Sequence, residues 1–424
     1  MRILHTSDWH LGRTLHGVDL LEHQAAHLDH LVELTRSEAV DAVVVAGDVY
    51  DRAIPPVDAV SLLSEAVTRL AEYAHVVVTP GNHDSAVRLG FGDRLLRPGV
   101  HVRARLADVG APVVLGPRPG AAGGDGSPLL VYALPYLDPD TARHVLADAG
   151  DTPDATGTEG VGGAPTGGPG PLARSHEAVM GAALRRVAAD LAWRRAADPE
   201  VRAVVVGHAF VVGGLASDSE RDIRVGGVDA VPAAAFAGRG ADYVALGHLH
   251  GPQRVTVPDV GGVSTVARYS GSPLAFSFSE LHQRKSTALV DVGRLRTDAD
   301  AAVELVPAPV PRRLAEVTGS LDELLGEAGE PHVDDWLRVV VTDAVRPAEL
   351  YARVRSRFPH ALQVTHRPPR VAEREVVAAV GPGHDPLDVA RDFVEHVSGH
   401  APSEAEVVVL REAFELALAE ERSA

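Results

Sequence analysis

Five short blocks of Asp, Asn and His residues recur along the first two-thirds of the chain. They are Asp8-x-His10, Gly47-Asp48, Gly81-Asn82-His83-Asp84, Gly207-His208 and Gly247-His248-x-His250. Their side chains offer carboxylate oxygens, an amide oxygen and imidazole nitrogens, and the chain contains no cysteine. Mixed oxygen and nitrogen donors suit Mn, Fe or Zn, and two such ions can share a bridging carboxylate. Two ions about 3.5–4 Å apart can clamp a phosphate and activate water for in-line displacement.

Apolar runs precede these blocks and predict the elements that position them. The clearest runs are "DAVVVAGD" (41–48), "HVVVTPGNHD" (75–84), "RAVVVGHA" (202–209) and "DYVALGHLH" (242–250). Continuous apolar runs of this length indicate strands that are buried on both faces. Parallel strands bring their carboxyl ends to one edge of a sheet, so the blocks are expected to converge. The repeated glycines suit tight turns and close backbone approach. One Asp-x-His pair arises often by chance, but five blocks at strand ends favour a metal centre.

The rest of the pattern predicts a layered α/β domain, a smaller domain and a helical end. The strand-type runs, with helical spacing between them, predict a first domain over 1–279 that contains the candidate phosphate site. A Gly/Pro-rich surface insertion at 149–172 interrupts this domain. An α+β capping domain is predicted over 280–380, with a linker at 380–386. Residues 385–424 predict two amphipathic helices for partner docking, with apolar stripes at Leu387, Ala390, Val394, Val397 and at Val407, Leu410, Phe414, Leu418. Ser403 and Glu406 form a capping-box signature.

Composition limits the class of protein. The 424 residues are 45% hydrophobic and 23% charged, which is ordinary for a globular chain. No apolar run approaches the roughly 20 residues of a membrane span, and the first residues lack a signal-peptide core, so a cytoplasmic protein without a membrane partner is expected. A net charge of -18 argues against a protein that binds nucleic acid over its whole surface. A local basic groove, or a partner that supplies positive charge, stays compatible with it.

The five blocks resemble the signature of the calcineurin-like metallophosphoesterases, D-x-H, G-D, G-N-H-[DE], H and G-H-x-H. The resemblance implies a four-layer α/β sandwich that binds two divalent ions, with Mn the expected metal, and implies that Asp48 bridges them. It assigns the remaining ligands to two groups, Asp8, His10 and His250 around one ion, and Asn82, His208 and His248 around the other. His83 matches the family's non-ligand histidine, which stabilises the transition state or protonates the leaving oxygen. Asp84 is then expected to orient His83.

Longer segments resemble one bacterial branch of this family, the DNA nuclease subunits that act with an SMC-like ATPase. They are "HTSDWHLGR", "GDVYDRAIPP", "GNHDSAVRLGFG" and "RYSGSPLAFSFSE". The resemblance implies 3′-to-5′ exonuclease activity on duplex DNA and hairpin-opening endonuclease activity in DNA repair, recombination and replication. It also implies that the terminal helices dock on the ATPase subunit, and it leaves a homodimer open. Asp51 stands where archaeal relatives often have a second histidine, and no catalytic role is assigned to it.

Two alternatives remain at this point. The first is a stand-alone phosphoesterase acting on a small phosphoester or a phosphoprotein. "GDVYDRA" and "GNHD" approach the Ser/Thr phosphatase signatures, but they lack the Gly after Asp-Arg and the Glu after Asn-His. The second is a metal-free scaffold on the same fold, which would be expected to have lost ligands.

Overall fold

The computed structural model describes residues 1–116, 127–147, 170–220, 230–262, 264–369 and 385–421, with side chains described up to residue 416. The predicted insertion at 149–172 and the predicted linker at 380–386 fall almost entirely outside these residues. The surface insertion and the linker therefore stay predictions.

Short strands make up the sheets, and those of the two largest sheets are rich in Val, whose β-branched side chain packs well on a pleated surface. In the first half of the chain they are β1 (Arg2–Thr6), β2 (Thr14–Leu15), β3 (Val18–Asp19), β4 (Ala42–Ala46), β5 (His75–Thr79), β6 (Val100–Val102), β7 (Val113–Leu115) and β8 (Leu129–Ala133). The later strands are β9 (Arg202–His208), β10 (Tyr243–Gly247), β11 (Gln253–Val255), β12 (Val266–Tyr269), β13 (Ser286–Asp291), β14 (Val303–Pro307), β15 (Leu314–Gly319), β16 (Trp336–Val341) and β17 (Ala361–His366).

Two mixed sheets of six described strands each are the framework of the site. The first has the order β14-β13-β1-β4-β5-β6, and the second has the order β11-β12-β10-β9-β8-β7. Strands β1, β4, β5 and β6 run parallel, with Ile3 opposite Ala42 and Val43 opposite Val76. In the second sheet β8, β9, β10 and β12 run parallel, and the antiparallel strands β7 and β11 lie at its edges. The strands that precede the polar blocks are therefore parallel neighbours within each sheet.

Helices cover the outer faces of both sheets. The described α-helices are α1 (Leu21–Ser37), α2 (Val57–Tyr73), α3 (Ala86–Leu89), α4 (Pro139–Val145), α5 (His176–Ala197), α6 (Leu321–Leu325), α7 (Leu350–Arg357), α8 (Pro386–Ser398) and α9 (Glu404–Glu421). One apolar core joins the first sheet to α1 and α2, and another joins the second sheet to α4 and α5. A third core, with Ala46 and Val206 among its members, lies between the sheets. The predicted four-layer α/β sandwich is confirmed.

The strands after residue 280 differ from the prediction. Strands β13 and β14 were assigned to the capping domain, but β13 pairs with β1 and β14 pairs with β13 in the first sheet. The local pattern could not show this, because a strand's partner is set by tertiary packing and not by its own sequence. The first compact unit accordingly runs to Glu316 and also includes Pro331–Arg338 and Phe358–Gln363. A capping role for the rest of 280–380 stays a prediction.

The second compact unit comprises Val317–Glu330, Val339–Arg357 and Val364–Ala424. Its last described elements are the adjacent helices α8 and α9, which match the predicted helix pair. Ser403 and Glu406 form the predicted capping box, because the Ser403 N–H donates to Glu406 Oε2 at 2.8 Å and the Glu406 N–H donates to Ser403 Oγ at 3.4 Å. Among the described residues, no helix has the length and apolar character that a bilayer span requires.

Candidate metal centre

The five polar blocks follow β1, β4, β5, β9 and β10 at their carboxyl ends. The loop after β1 is hydrogen-bonded to the loop after β4, with Asp8 N–H donating to the Gly47 carbonyl at 3.0 Å. The two sheets are joined at the same edge, where the His248 N–H donates to Asp8 Oδ1 at 3.0 Å. The predicted ligand residues therefore meet in one buried cluster.

The first predicted ligand group comprises Asp8, His10 and His250. Each offers one ligand-type atom, and these atoms all lie within 4.8 Å of one another. His10 Nε2 and His250 Nε2 are 3.2 Å apart, and both side chains are buried. Two ring nitrogens that face each other need either an N–H on one ring that the other accepts or a cation bound by both.

The second predicted group comprises Asn82, His208 and His248. Asn82 Oδ1 lies 2.9 Å from His208 Nε2 and 3.3 Å from His248 Nδ1. The Asn82 Nδ2 atom is buried and has no hydrogen-bond partner among the described residues. An amide oxygen that faces two ring nitrogens while its own amino group is unpaired suits a shared cation.

Asp48 lies between the two groups. Its Oδ2 is 3.6 Å from His10 Nε2 and 3.4 Å from His208 Nε2. Its Oδ1 accepts the backbone N–H of His83 at 2.9 Å, which fixes the orientation of the carboxylate. One carboxylate oxygen therefore faces a histidine from each group, which is the arrangement that a bridging ligand requires.

Burial and the neighbouring charges set the protonation of this cluster. Burial alone would raise the pKa of Asp48, but His208 and the other nearby imidazoles hold it well below its usual value. Burial would lower the pKa of His208, yet the Asp48 carboxylate raises it to about 9. Burial lowers the pKa of His248 to about 3 and keeps it neutral, the form that binds metals. Asp48 thus favours a positive charge beside it, which a proton or a metal cation can provide. The residues fit two divalent cations.

Strained backbone positions bring the ligands together. The φ angles are 54° at Asp8, 46° at His10, 49° at Asp48 and 106° at His248. Such positive values cost on the order of 1–3 kcal/mol each for residues with a side chain and cluster at functional sites. Hydrogen bonds between the loops maintain them, including His10 N–H to the Asp48 carbonyl at 3.0 Å.

Two glycines allow the close approach that the sequence predicted. Gly47 has a φ of +83°, and a Cβ there would overlap the His208 ring. A Cβ on Gly247 would overlap the Ala46 carbonyl oxygen. That carbonyl accepts the Nδ1–H of His208 at 2.9 Å, so His208 presents Nε2 to the cluster.

Asp84 and His83 each have a hydrogen-bond partner in the loop backbone. Asp84 accepts backbone N–H groups from Val49, Tyr50 and Gly81 at 2.9–3.0 Å, and so joins the loop after β4 to the loop after β5. The Nδ1–H of His83 donates to the backbone carbonyl of Asp51 at 2.7 Å. The predicted orienting role of Asp84 at His83 stays a prediction.

Four residues that surround His250 were not predicted to have a role: Ser219, Glu220, Glu280 and Lys285. Glu280 ends the segment "YSGSPLAFSFSE", but a single Glu after an apolar run has no local signature of a role. Its importance becomes visible only through its contacts.

Two family models match the chain. One described as calcineurin-like phosphoesterase matches residues 1–252, and one described as type 5 capsule protein repressor C-terminal domain matches residues 310–398. The SbcD subunit of the SbcCD nuclease from Bacillus subtilis (strain 168) is 33% identical over 420 residues, which cover 97% of this chain and 96% of the relative. The chain belongs to the SbcD family of calcineurin-like phosphoesterases.

Other similarities extend this comparison. The SbcD subunit of the SbcCD nuclease from Staphylococcus saprophyticus is 28% identical to this SbcD-family chain over 371 residues, covering 87% of the chain and 85% of the relative. Among solved structures, TT1561 of Thermus thermophilus matches with a TM-score of 0.38 and 15% identity, over 72% of this chain and 98% of that one. The two family models and the Bacillus subtilis relative confirm the resemblance drawn from the sequence. The buried His/Asp groups are of the type found in binuclear members.

Proposed function

We propose that this SbcD-family chain is a nuclease subunit that hydrolyses DNA phosphodiester bonds with two bound divalent ions, Mn in particular. The observation that carries the proposal is that Asp48 lies between two groups of oxygen and nitrogen donors. The ligands are Asp8, His10, Asp48 and His250 for one ion, and Asp48, Asn82, His208 and His248 for the other. This donor set contains no thiolate, so it suits Mn, Fe or Zn.

The chain's own residues provide binding, orientation and a proton. Two bound ions would supply Lewis-acid polarisation of the phosphate and a lowered pKa for the attacking water. His83 Nε2 lies 3.9 Å from Asp48 Oδ2, and its Nδ1 is held by the Asp51 carbonyl. The ring is therefore fixed with Nε2 toward the cluster, where its imidazolium form can donate the Nε2 proton to the leaving oxygen and keep the Nδ1–H on the Asp51 carbonyl.

The substrate is DNA. The chain acts on duplex ends as a 3′-to-5′ exonuclease and on hairpins as an endonuclease. Its role is in DNA repair and recombination in the cytoplasm. The nuclease names of the two relatives support this over a small phosphoester or a phosphoprotein. A net charge of -18 leaves much of the DNA binding to a partner. We place that positive surface on an SbcC-type ATPase subunit.

The experiment is a cleavage assay on three substrates. Labelled hairpin DNA, labelled linear duplex and a nitrophenyl phosphodiester are incubated with Mn, with Mg or with chelator, with and without the ATPase subunit. We expect Mn-dependent opening of the hairpin and shortening of the duplex from its 3′ ends, both increased by the ATPase. Cleavage of the small ester with no DNA cleavage under any condition would establish the stand-alone phosphoesterase instead.

The helix pair α8–α9 is proposed to dock on the ATPase subunit. Part of the predicted docking stripe, Val407, Leu410 and Phe414, is half-buried, and α8 and α9 contact each other. A second set of apolar residues on the pair is more than half exposed: Phe393, Val397, Val408, Val409 and Leu416. Exposed apolar clusters of this kind mark interaction sites. We assign docking to this outer set, which includes Val397 of the predicted α8 stripe, and assign the half-buried Val407, Leu410 and Phe414 to packing within the pair.

A second exposed apolar set supports a homodimer of the nuclease subunit. Val57 and Val60 on α2 are exposed, and Phe91 and Leu95 are 88% and 89% exposed. The two segments are adjacent, because the Arg88 guanidinium donates to the Ala53 carbonyl at 2.9 Å. A second copy of the chain would bury this surface.

A further inference from the structure

His250 is held at three points by residues outside the predicted ligand set. Its backbone N–H donates to Glu220 Oε1 at 2.8 Å, and its carbonyl accepts from Lys285 Nζ at 3.0 Å. Its ring Nδ1 lies 2.7 Å from Ser219 Oγ and 3.3 Å from Glu280 Oε1. The opposite ring nitrogen, Nε2, faces His10 in the first ligand group. These contacts fix both the position and the rotation of the imidazole.

Glu280 and Lys285 form a buried ion pair next to this ring. Their side chains are essentially inaccessible to solvent, and the Lys285 ammonium contacts the Glu280 carboxylate directly. Lys285 also donates to Ser272 Oγ at 2.9 Å and to Gln283 Oε1 at 2.7 Å, so that, with Glu280 and the His250 carbonyl, four acceptors surround its three protons. Burying such a pair is not in itself stabilising, because desolvation offsets the attraction between the charges. Both partners contact His250, and this points to a role for the pair at that residue.

We propose that Glu280 is a positioning residue for metal binding and acts through His250. A carboxylate that accepts the Nδ1–H of an imidazole fixes the tautomer with a free Nε2 lone pair and makes that nitrogen a stronger ligand. Glu280 does so directly and through Ser219, whose hydroxyl contacts both the carboxylate and the ring. Lys285 keeps Glu280 in place and anchors the His250 carbonyl. The inference rests on the proposed function for the presence of an ion at His250.

The test is Mn affinity of the full-length chain, measured by electron paramagnetic resonance of free Mn, alongside thermal unfolding. Glu280→Gln keeps the size of the side chain and removes its charge. We expect Mn affinity at one of the two positions to fall by roughly 10–100-fold, the usual effect of losing such a partner. Asp242→Asn is the matched control. Asp242 is a buried carboxylate paired with Arg195 and Arg296 at the start of β10, away from the ligands. The Asp242→Asn substitution should lower the melting temperature and leave Mn affinity unchanged.

A double-mutant cycle separates positioning from general support of the fold. In a His250→Ala background, Glu280→Gln should cause no further loss of Mn affinity, because the residue through which it acts is gone. An equal loss in both backgrounds would overturn the proposal. Ser219→Ala, a smaller change, should lower Mn affinity in the same direction, so the test stands even if Glu280→Gln unfolds the chain.

The readout also distinguishes this inference from the nuclease proposal. Wild-type Mn affinity in both Glu280→Gln and Ser219→Ala would refute the positioning role and leave the nuclease proposal intact. Weakened Mn binding in Glu280→Gln, with no DNA cleavage by the wild-type chain, would support the positioning role and refute the nuclease proposal.

Discussion

His83 donates its Nδ1–H to the backbone carbonyl of Asp51 at 2.7 Å. Because the acceptor belongs to the backbone, the ring orientation does not depend on the side chain at position 51. The hydrogen bond leaves Nε2 on the side of the ligand cluster, 3.9 Å from Asp48 Oδ2. This geometry is compatible with the proton transfer proposed for His83, which requires the ring to carry a proton on both nitrogens.

His83→Ala is therefore expected to reduce turnover by roughly 10²- to 10⁴-fold, the usual cost of losing a general acid. Bound metal, measured by elemental analysis, should stay near two ions per chain. His144→Ala, at an exposed position on α4, is the control and should keep full activity. Parallel loss of metal and activity would make His83 a ligand.

Asp48→Ala is expected to abolish DNA cleavage and to lower bound metal at both positions. The reason is that one carboxylate oxygen faces a histidine from each ligand group. Asn82→Ala is the useful comparison, since it removes a ligand of only the second group. It should reduce metal content by less than Asp48→Ala. Two retained ions and near-normal activity in Asp48→Ala would show that the binuclear assignment is wrong.

Removal of divalent ions should lower the melting temperature of the full-length chain. The cluster contains buried carboxylates and facing ring nitrogens that a cation satisfies, so metal binds the folded state preferentially. Free metal at about one hundred times Kd stabilises a single site by about 2.7 kcal/mol. Scanning calorimetry of the wild-type chain with chelator and with Mn, and of Asp48→Ala with Mn, provides the measurement. A melting temperature independent of Mn in the wild-type chain would contradict a metal site here.

Val397→Glu combined with Leu416→Glu should eliminate co-purification with an SbcC-type ATPase while metal content stays normal. Both residues are 68% exposed, so the charges should disrupt docking and not packing within the helix pair. Asp392→Ala, also exposed on α8, should bind the ATPase normally. Phe414→Glu should instead destabilise the helix pair itself, because Phe414 is half-buried. Wild-type binding by the double variant would refute docking on the outer set.

Phe91→Glu combined with Leu95→Glu should convert a homodimer to a monomer in sedimentation analysis. Each substitution places a charge on a surface that association would bury. Metal content and cleavage of the nitrophenyl phosphodiester should stay at wild-type level, since both side chains are almost fully exposed and neither residue belongs to the predicted metal ligands. A wild-type chain that sediments as a monomer at all concentrations would rule out this dimer.

The sequence alone determined the layered fold and the composition of the candidate site. Both depend on local patterns: continuous apolar runs form buried strands, and glycine followed by Asp, Asn or His marks their ends. Because parallel strands present their carboxyl ends at one edge, convergence of the five blocks could be predicted without a structure. Membership of the metallophosphoesterase family could also be predicted, because the family signature consists of these blocks.

Only the tertiary structure decided how these residues are supported. The hydrogen bond from His83 to the Asp51 carbonyl, and the contact between Glu280 and His250, could not be predicted from the segments in which Asp51 and Glu280 lie. The same holds for the pairing of β13 with β1, and for which apolar residues of α8 and α9 face outward. A hydrogen-bond partner or a strand neighbour is chosen by how distant segments pack, and local sequence periodicity does not contain that information.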